Sequence, residues 1–204
     1  MEHVLSRDIV WTDARPADED AQTLRRIAGG DRQALTELYL RHRLPLFRYL
    51  LQLTPDHGLA EELLQDTLVA VWKSARTFEA RSSARTWLFG IARRQAHNTL
   101  RQRGLPLADA AALETMVDCD PQPEDAALAA AERAELADAL GSLPPIHREV
   151  LVLVFLQELS YAETAQVLDV PVGTVKSRLN HAKRALRGLL EAREVRQQGK
   201  GAER

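Results

Sequence analysis

GTVKSRLNHAKRALRGLL, residues 173–190, decides how this chain is read: eighteen residues carry five Lys or Arg, one His and no acid. Val175, Leu179, Ala182, Leu186 and Leu189 recur at the three-and-four spacing of one helical face, while Lys176, Arg178, His181, Lys183 and Arg184 project elsewhere. The segment is a helix with an apolar back and a cationic front. Before it lies SYAETAQVL, residues 160–168, a short amphipathic segment, and then the break Asp169-Val170-Pro171. Pro171 disfavours helical geometry at Val170, and Asp169 tolerates turn conformations that bulky residues resist. Two short helices across a tight turn predict a helix-turn-helix, whose second helix enters the DNA major groove. An isolated Lys/Arg run is more often a solvated face. Here the preceding helix, the turn and the absence of acids favour DNA.

The chain has 204 residues, 45% hydrophobic and 27% charged with 5% aromatic, the composition of an Ala/Leu-rich helical protein. That length suits two small domains better than one large one. No apolar run approaches the roughly 20 residues of a membrane span, and the first twenty residues lack the apolar core of a signal peptide, so a cytoplasmic protein is expected. Cys119 is the single cysteine, and the six histidines form no HExxH pattern, so neither a disulfide nor a metal site is expected. Net charge is only -2, but its distribution is informative. Residues 80–108 hold six Arg and no acid, whereas residues 109–138 hold nine acids and one base, Arg133. Two cationic surfaces separated by an anionic connector are implied.

Along the chain, residues 1–20 read as an acidic N-terminal tail. Residues 21–53 predict two helices divided at Gly29-Gly30-Asp31, with Asp31 as N-cap and Pro45 at a helix start or kink. A third helix spans about 59–75, with Leu64, Leu68, Val71 and Trp72 as core stripe and Glu61, Glu62, Gln65 and Asp66 as polar face. A loop at 78–83 precedes a fourth helix over 84–103, which carries Trp87, Leu88, Ile91 and Leu100 on one side and Arg93, Arg94, His97 and Arg101 on others. Residues 104–125 contain Pro106, Pro121 and Pro123 without sustained period and read as a flexible linker between independently mobile units. A helix over 126–140, a break at Leu143-Pro144-Pro145 and an apolar helix over 147–156 lead into the helix-turn-helix. That unit ends near 192, leaving 193–204 as a C-terminal tail.

In this order the segments resemble the sigma-70 family, specifically the short extracytoplasmic-function sigma factors that keep only regions 2 and 4. Three stretches carry the resemblance: GDRQALTELYLRHRLPLFRYL from Gly30, AEELLQDTLVAVWKSARTFEARSSARTWLFGIARRQAHNTLRQR from Ala60, and LPPIHREVLVLVFLQELSYAETAQVLDVPVGTVKSRLNHAKRAL from Leu143. They cover more than half of the chain. The resemblance implies an all-α, two-domain protein: region 2 at 21–103 and region 4 at 126–192. It implies a non-enzymatic factor, without cofactor or small-molecule substrate, that binds core RNA polymerase and directs it to promoters with -10 and -35 elements. An anti-sigma factor is the expected restraint, and where that partner is membrane-bound it would hold the chain at the membrane.

The same resemblance assigns residues. Glu62, Gln65 and Asp66 match the surface that docks on the polymerase beta-prime clamp helices, with Glu62 in place of the usual Asp; region 4 is expected on the beta flap. Phe78, Arg81, Ser82, Ser83, Arg85, Arg93, Arg94, His97, Asn98 and Arg101 fall in the -10 reader, where cations hold the phosphates of an opened strand while a loop receives a base. Trp87 and Phe89 could stack on a base, although the helical spacing places Trp87 in the core more readily. Arg94 stands where many relatives have a smaller polar residue. Thr174, Lys176, Ser177, Arg178, His181, Lys183 and Arg184 fall in the -35 reader: the first three sit near a helix N-terminus that favours phosphate, and Arg178 has the donor fork that pairs with guanine. Asp169 replaces a common turn Gly and Thr164 a common aliphatic, which implies an altered turn.

Two other classes compete. A helix-turn-helix regulator with an N-terminal sensing domain requires a ligand cavity or an acidic phospho-acceptor pocket on strands, and residues 21–103 show neither strand alternation nor such a cluster. A nucleic-acid enzyme requires grouped carboxylates, a Gly-rich phosphate loop or a nucleophile–base set, and the sequence offers none of these.

Overall fold

The computed structural model describes residues 19–54, 56–105, 136 and 138–201, with side chains as far as 192. The linker reading at 104–125, most of the helix expected at 126–140 and most of both tails lie outside the described residues.

The N-terminal unit contains α1 (Glu19–Ala28), α2 (Arg32–Leu53), α3 (His57–Ser74), a 3-10 turn (Ala75–Thr77) and α4 (Ala84–Gln102). Each start has a local cause. The Asp31 carboxylate accepts from the amides of Gln33 and Ala34 at 2.9 and 3.1 Å, Asp56 accepts from Leu59 N–H, and the Ser83 hydroxyl accepts from Thr86 N–H. Gly30 at φ 91° supplies the left-handed residue that reverses the chain between α1 and α2. The core is made by Leu24 and Ile27 of α1, Leu38, Leu46 and Leu50 of α2, Leu63 and Val71 of α3, and Leu88 and Phe89 of α4. Ala84, Ala92 and Ala96 are fully buried along α4, so small side chains let it approach its neighbours closely.

The C-terminal unit contains α5 (Pro145–Leu151), which passes directly into a π-helical turn (Val152–Leu156), then α6 (Tyr161–Leu168) and α7 (Val172–Gly201). Pro145 occupies the first turn of α5, where its missing N–H costs nothing. The π turn pairs Gln157 N–H with Val152 O at 2.9 Å and ends with Phe155 and Leu156 exposed, while Val152, Leu153 and Val154 stay in the core. A capping box starts α6: Ser160 accepts from Glu163 N–H, and the Glu163 carboxylate accepts from Ser160 N–H at 2.9 Å. Val175, Leu179 and Ala182 form the buried back of α7, and Leu186 and Leu189 continue it half-buried.

Several expectations change. Pro45 lies inside α2, which runs unbroken through it. In α3 the stripe is centred on the fully buried Leu63 with Leu64 and Val71, and Leu68 and Trp72 lie half-buried at its edge. The N-terminal tail ends earlier than 20, because α1 starts at Glu19 and Asp20 is tied down. The C-terminal helix continues through the segment read as a tail, as far as Gly201. The two units also share one apolar core, α4 lying against α6 and α2 against α5.

Asp20 fastens α1 to α2. Its carboxylate pairs with Arg41 and lies 2.7 Å from His42 Nε2. Burial pushes this carboxyl up, but the hydrogen bonds and charges of His42 and Arg41 outweigh that and hold it below the ordinary value. The sign follows: stability from Asp20 is present above the unfolded-state value of 3.8 and is lost as pH falls through the lower folded-state value. Asp20→Asn is expected to cost about 1 kcal/mol near neutral pH. In a denaturation series, that deficit should persist down to the ordinary carboxylate range and close below it.

The turn of the helix-turn-helix is held by Asp169 in the left-handed region at φ 53°, ψ 53°, with its N–H on Ala165 O. The altered turn expected from Asp in place of Gly is thus a strained residue within an intact turn. Thr164, on α6, is completely buried. Asp169→Gly should stabilise the chain by about 0.5–1 kcal/mol by removing a Cβ from a left-handed residue, and Asp169→Val should destabilise it by a larger amount. Chemical denaturation of the three chains reads both.

Candidate nucleic-acid interface

Three surfaces carry the residues singled out from sequence. The first is the front of α7. Lys176, Ser177, His181 and Arg184 are exposed, and Thr174, Arg178 and Lys183 are half-buried. Because Val175, Leu179 and Ala182 turn inward, the cationic side faces out as the periodicity required. Ser177 Oγ donates to Thr174 O at 3.0 Å, so its hydroxyl is held along the helix. Lys183 is turned aside, its Nζ 5.1 Å above the Phe155 ring at the end of the π turn. The rings of His181 and His147 lie 6.1 Å apart. Burial first, and then the charges of His181 and Arg178, push His147 below the ordinary histidine value, so this corner favours a neutral imidazole.

The second surface is the loop before α4 together with α4 itself. Phe78 packs half-buried on Trp87, ring centroids 5.4 Å apart, and both rings lie against the core, which favours the packing role over stacking on a base. Ala80 adopts φ 56° within the loop, and Ser82 and Arg94 border one cavity. With Thr86, Trp87, Gly90 and Gln166 they line a cavity of about 220 Å³, of which Gln166 belongs to α6. Arg81 is exposed and pairs with Glu79 at 2.6 Å. Arg85 lies 5.8 Å over the Phe89 ring and donates to Gln157 Oε1 at 3.4 Å. Asn98 and Arg101 are exposed farther along α4.

Arg93 and His97 face the other unit. Arg93 Nε donates to Glu149 Oε1 at 2.9 Å, and the same oxygen accepts from Tyr49 Oη at 2.8 Å. Glu149 is 7% exposed in its side chain, and Tyr49 is completely buried. Burial and then the Glu149 charge hold the Tyr49 proton on, well above the ordinary phenol value. Half-burial, followed by the Arg93 charge, pushes His97 down. Nearby, Glu163 Oε1 accepts from Ser83 Oγ at 3.0 Å and Thr86 Oγ1 at 3.2 Å. Arg148, also buried, donates to Gln52 O and Leu143 O at 3.3 and 3.1 Å, placing a guanidinium at the carbonyl end of α2.

The third surface is the polar face of α3, where Glu62, Gln65 and Asp66 are all exposed. Glu62 accepts from Arg103 Nη2 at 2.6 and 2.7 Å, while Val69, 49% exposed, adds an apolar residue one turn beyond Gln65 and Asp66.

Tyr49, Thr86, Arg148, Glu149, Gln157 and Glu163 belong to these surfaces and were not singled out from sequence. One signal was available: Arg148 and Glu149 are adjacent charges opening an otherwise apolar helix, a pattern that demands buried partners. Among the described residues no cluster of three potential metal ligands occurs, and no helix is long and apolar enough to cross a membrane.

Comparison with known proteins places the chain in a family. Residues 38–105 match the family Sigma-70 region 2, and residues 133–186 match Sigma-70, region 4. The ECF RNA polymerase sigma factor SigK of Mycobacterium tuberculosis is 31% identical over 185 residues, 86% of this chain and 95% of that protein. SigL of the same species is 33% identical over 165 residues, 80% and 93% of the two chains. Among solved structures, CnrH in complex with the cytosolic domain of CnrY superposes with a TM-score of 0.64 at 27% identity, covering 86% of this chain and 99% of CnrH. The sigma factor RpoE of Bartonella quintana, in complex with the anti-sigma factor NepR, gives 0.60 at 28% identity, covering 76% and 96%. With both regions present in order on one helical chain, the protein belongs to the extracytoplasmic-function RNA polymerase sigma factors of the sigma-70 family.

Proposed function

We propose that this sigma factor divides its work among the three surfaces. The exposed face of α3, with Glu62, Gln65, Asp66 and Val69, docks on the beta-prime clamp helices of core polymerase, and the C-terminal unit engages the beta flap. The loop at 78–83 and α4 receive the opened -10 strand: Ser82 and Arg94 border the cavity a base can enter, while Arg81, Arg85, Arg93 and Arg101 hold phosphates. The front of α7 reads the -35 duplex, Arg178 at base edges and Lys176, Lys183 and Arg184 at the backbone. The Bartonella quintana RpoE structure, solved with an anti-sigma factor bound, supports control of this chain by a protein of that kind. The observation that carries the reading is the pairing, in one chain, of a helix-turn-helix with an outward cationic front and an α3 face left polar and exposed.

The docking surface is tested by Asp66→Lys with Gln65→Ala, which should weaken binding to core polymerase at least tenfold while circular dichroism stays unchanged. Unaltered affinity for core would remove the assignment.

Base reading and phosphate holding separate on α7. Arg178→Ala should lose about 1–3 kcal/mol of discrimination at one -35 position. Arg184→Ala should weaken all sequences alike and reduce the log–log salt slope by about one unit. If Arg178→Ala weakens every -35 variant by the same factor, Arg178 is a phosphate contact and not a reader.

A further inference from the structure

His147 belongs to none of the three surfaces by element, but by position it adjoins the front of α7. It lies in the first turn of α5, and its ring sits 6.1 Å from that of His181, tilted 40° to it. The charged groups that bear on it are basic, His181 and Arg178 of α7. The neighbouring charges of α5 point into the seam instead: Arg148 reaches the carbonyls of Gln52 and Leu143, and Glu149 is met by Tyr49 and Arg93. Between α5 and α7 two imidazoles and a guanidinium therefore gather at one place, a setting that attracts an anion.

The backbone of α5 has nothing to give such an anion, because the amides of His147 and Arg148 already donate to Pro144 O at 2.9 and 3.0 Å. The ring has. Burial and the two basic neighbours favour its neutral form, and Nδ1 is buried without a hydrogen-bond partner, so a proton there would be an orphaned donor. The proton therefore sits on Nε2, the nitrogen left to meet an acceptor from outside. An oxygen accepting from a ring N–H lies about 4 Å from the ring centroid, so one phosphate oxygen can serve both rings at their observed spacing.

We propose that His147 and His181 together hold one backbone phosphate of the -35 duplex, so that α5 grips the strand bordering the groove that α7 enters. The proposal rests on the assignment of α7 to the -35 duplex. A recognition helix reads base edges from its inserted face, and elements beside it meet the phosphates that flank the groove. His147 adds a neutral donor there, which helps to set the register of Arg178 on the bases without adding charge.

The test uses the full chain assembled with core polymerase and a promoter duplex selected from a randomised library by run-off transcription with that holoenzyme. Each backbone phosphate across the -35 element is replaced in turn by an uncharged methylphosphonate, and affinity is read by fluorescence anisotropy. The unaltered chain should lose about fivefold at the phosphate that both rings hold. On the unmodified duplex His147→Ala and His181→Ala should each bind about fivefold more weakly, and at that one phosphate neither should lose anything further. His147→Gln, which carries a neutral donor near the reach of Nε2, should restore both the affinity and the sensitivity at that phosphate. Because the modification is on the DNA, a poorly folded variant cannot imitate a loss of sensitivity confined to one position. A His147→Ala chain as sensitive as the unaltered one at every phosphate would overturn the assignment, as would a His147→Gln chain no better than His147→Ala, or His147 and His181 variants insensitive at different phosphates. Base changes in the -35 element keep the two readings apart. If they leave affinity unchanged, the assignment of α7 itself falls; if they weaken binding while His147→Ala keeps full sensitivity, only the phosphate site falls.

Discussion

One buried carboxylate, Glu149, governs how the halves of this molecule meet. A carboxyl group with so little access to water needs hydrogen-bond partners, and here a phenol and a guanidinium from the other unit both donate to its Oε1. The same logic holds for Arg148 at the end of α2. Such contacts contribute less to net stability than an equal area of packed Leu and Val, because desolvation offsets most of the attraction. Their effect is on register: the apolar surfaces of α4 and α6 could slide over one another, whereas the pairs Glu149–Tyr49, Arg148–Gln52 and Glu163–Ser83 across the seam fit one arrangement.

Most of the fold could be read from sequence because it is written in local terms. Asp31 before an apolar period, SYAE at residues 160–163 and Asp169-Val170-Pro171 each fix a helix end with no help from distant residues. The cationic front of α7 was legible for the same reason, its apolar back repeating at three and four. Pro45 misled because a helix of 22 residues can absorb a proline when packing on both sides continues, and Leu63 was overlooked in favour of Leu68 because two adjacent leucines leave the phase of a stripe open. The π turn at 152–156 has no sequence signature apart from a run of apolar residues. What periodicity could not supply was pairing across a hundred positions: that Tyr49 meets Glu149, or that Ser83 meets Glu163, depends on how two separately amphipathic units face each other.

Glu163 touches the beginnings of two helices at once, its own and α4. Each of these helices nevertheless carries its own serine: Ser83 still receives Thr86 N–H, and Ser160 still receives Glu163 N–H, whichever way the units lie. The boundary between them therefore runs between two finished helix ends and through no helix interior. Parting the units along it would break side-chain hydrogen bonds and expose the apolar surface the units share, but it would leave the Ser83 and Ser160 caps in place, so neither helix start depends on the other unit.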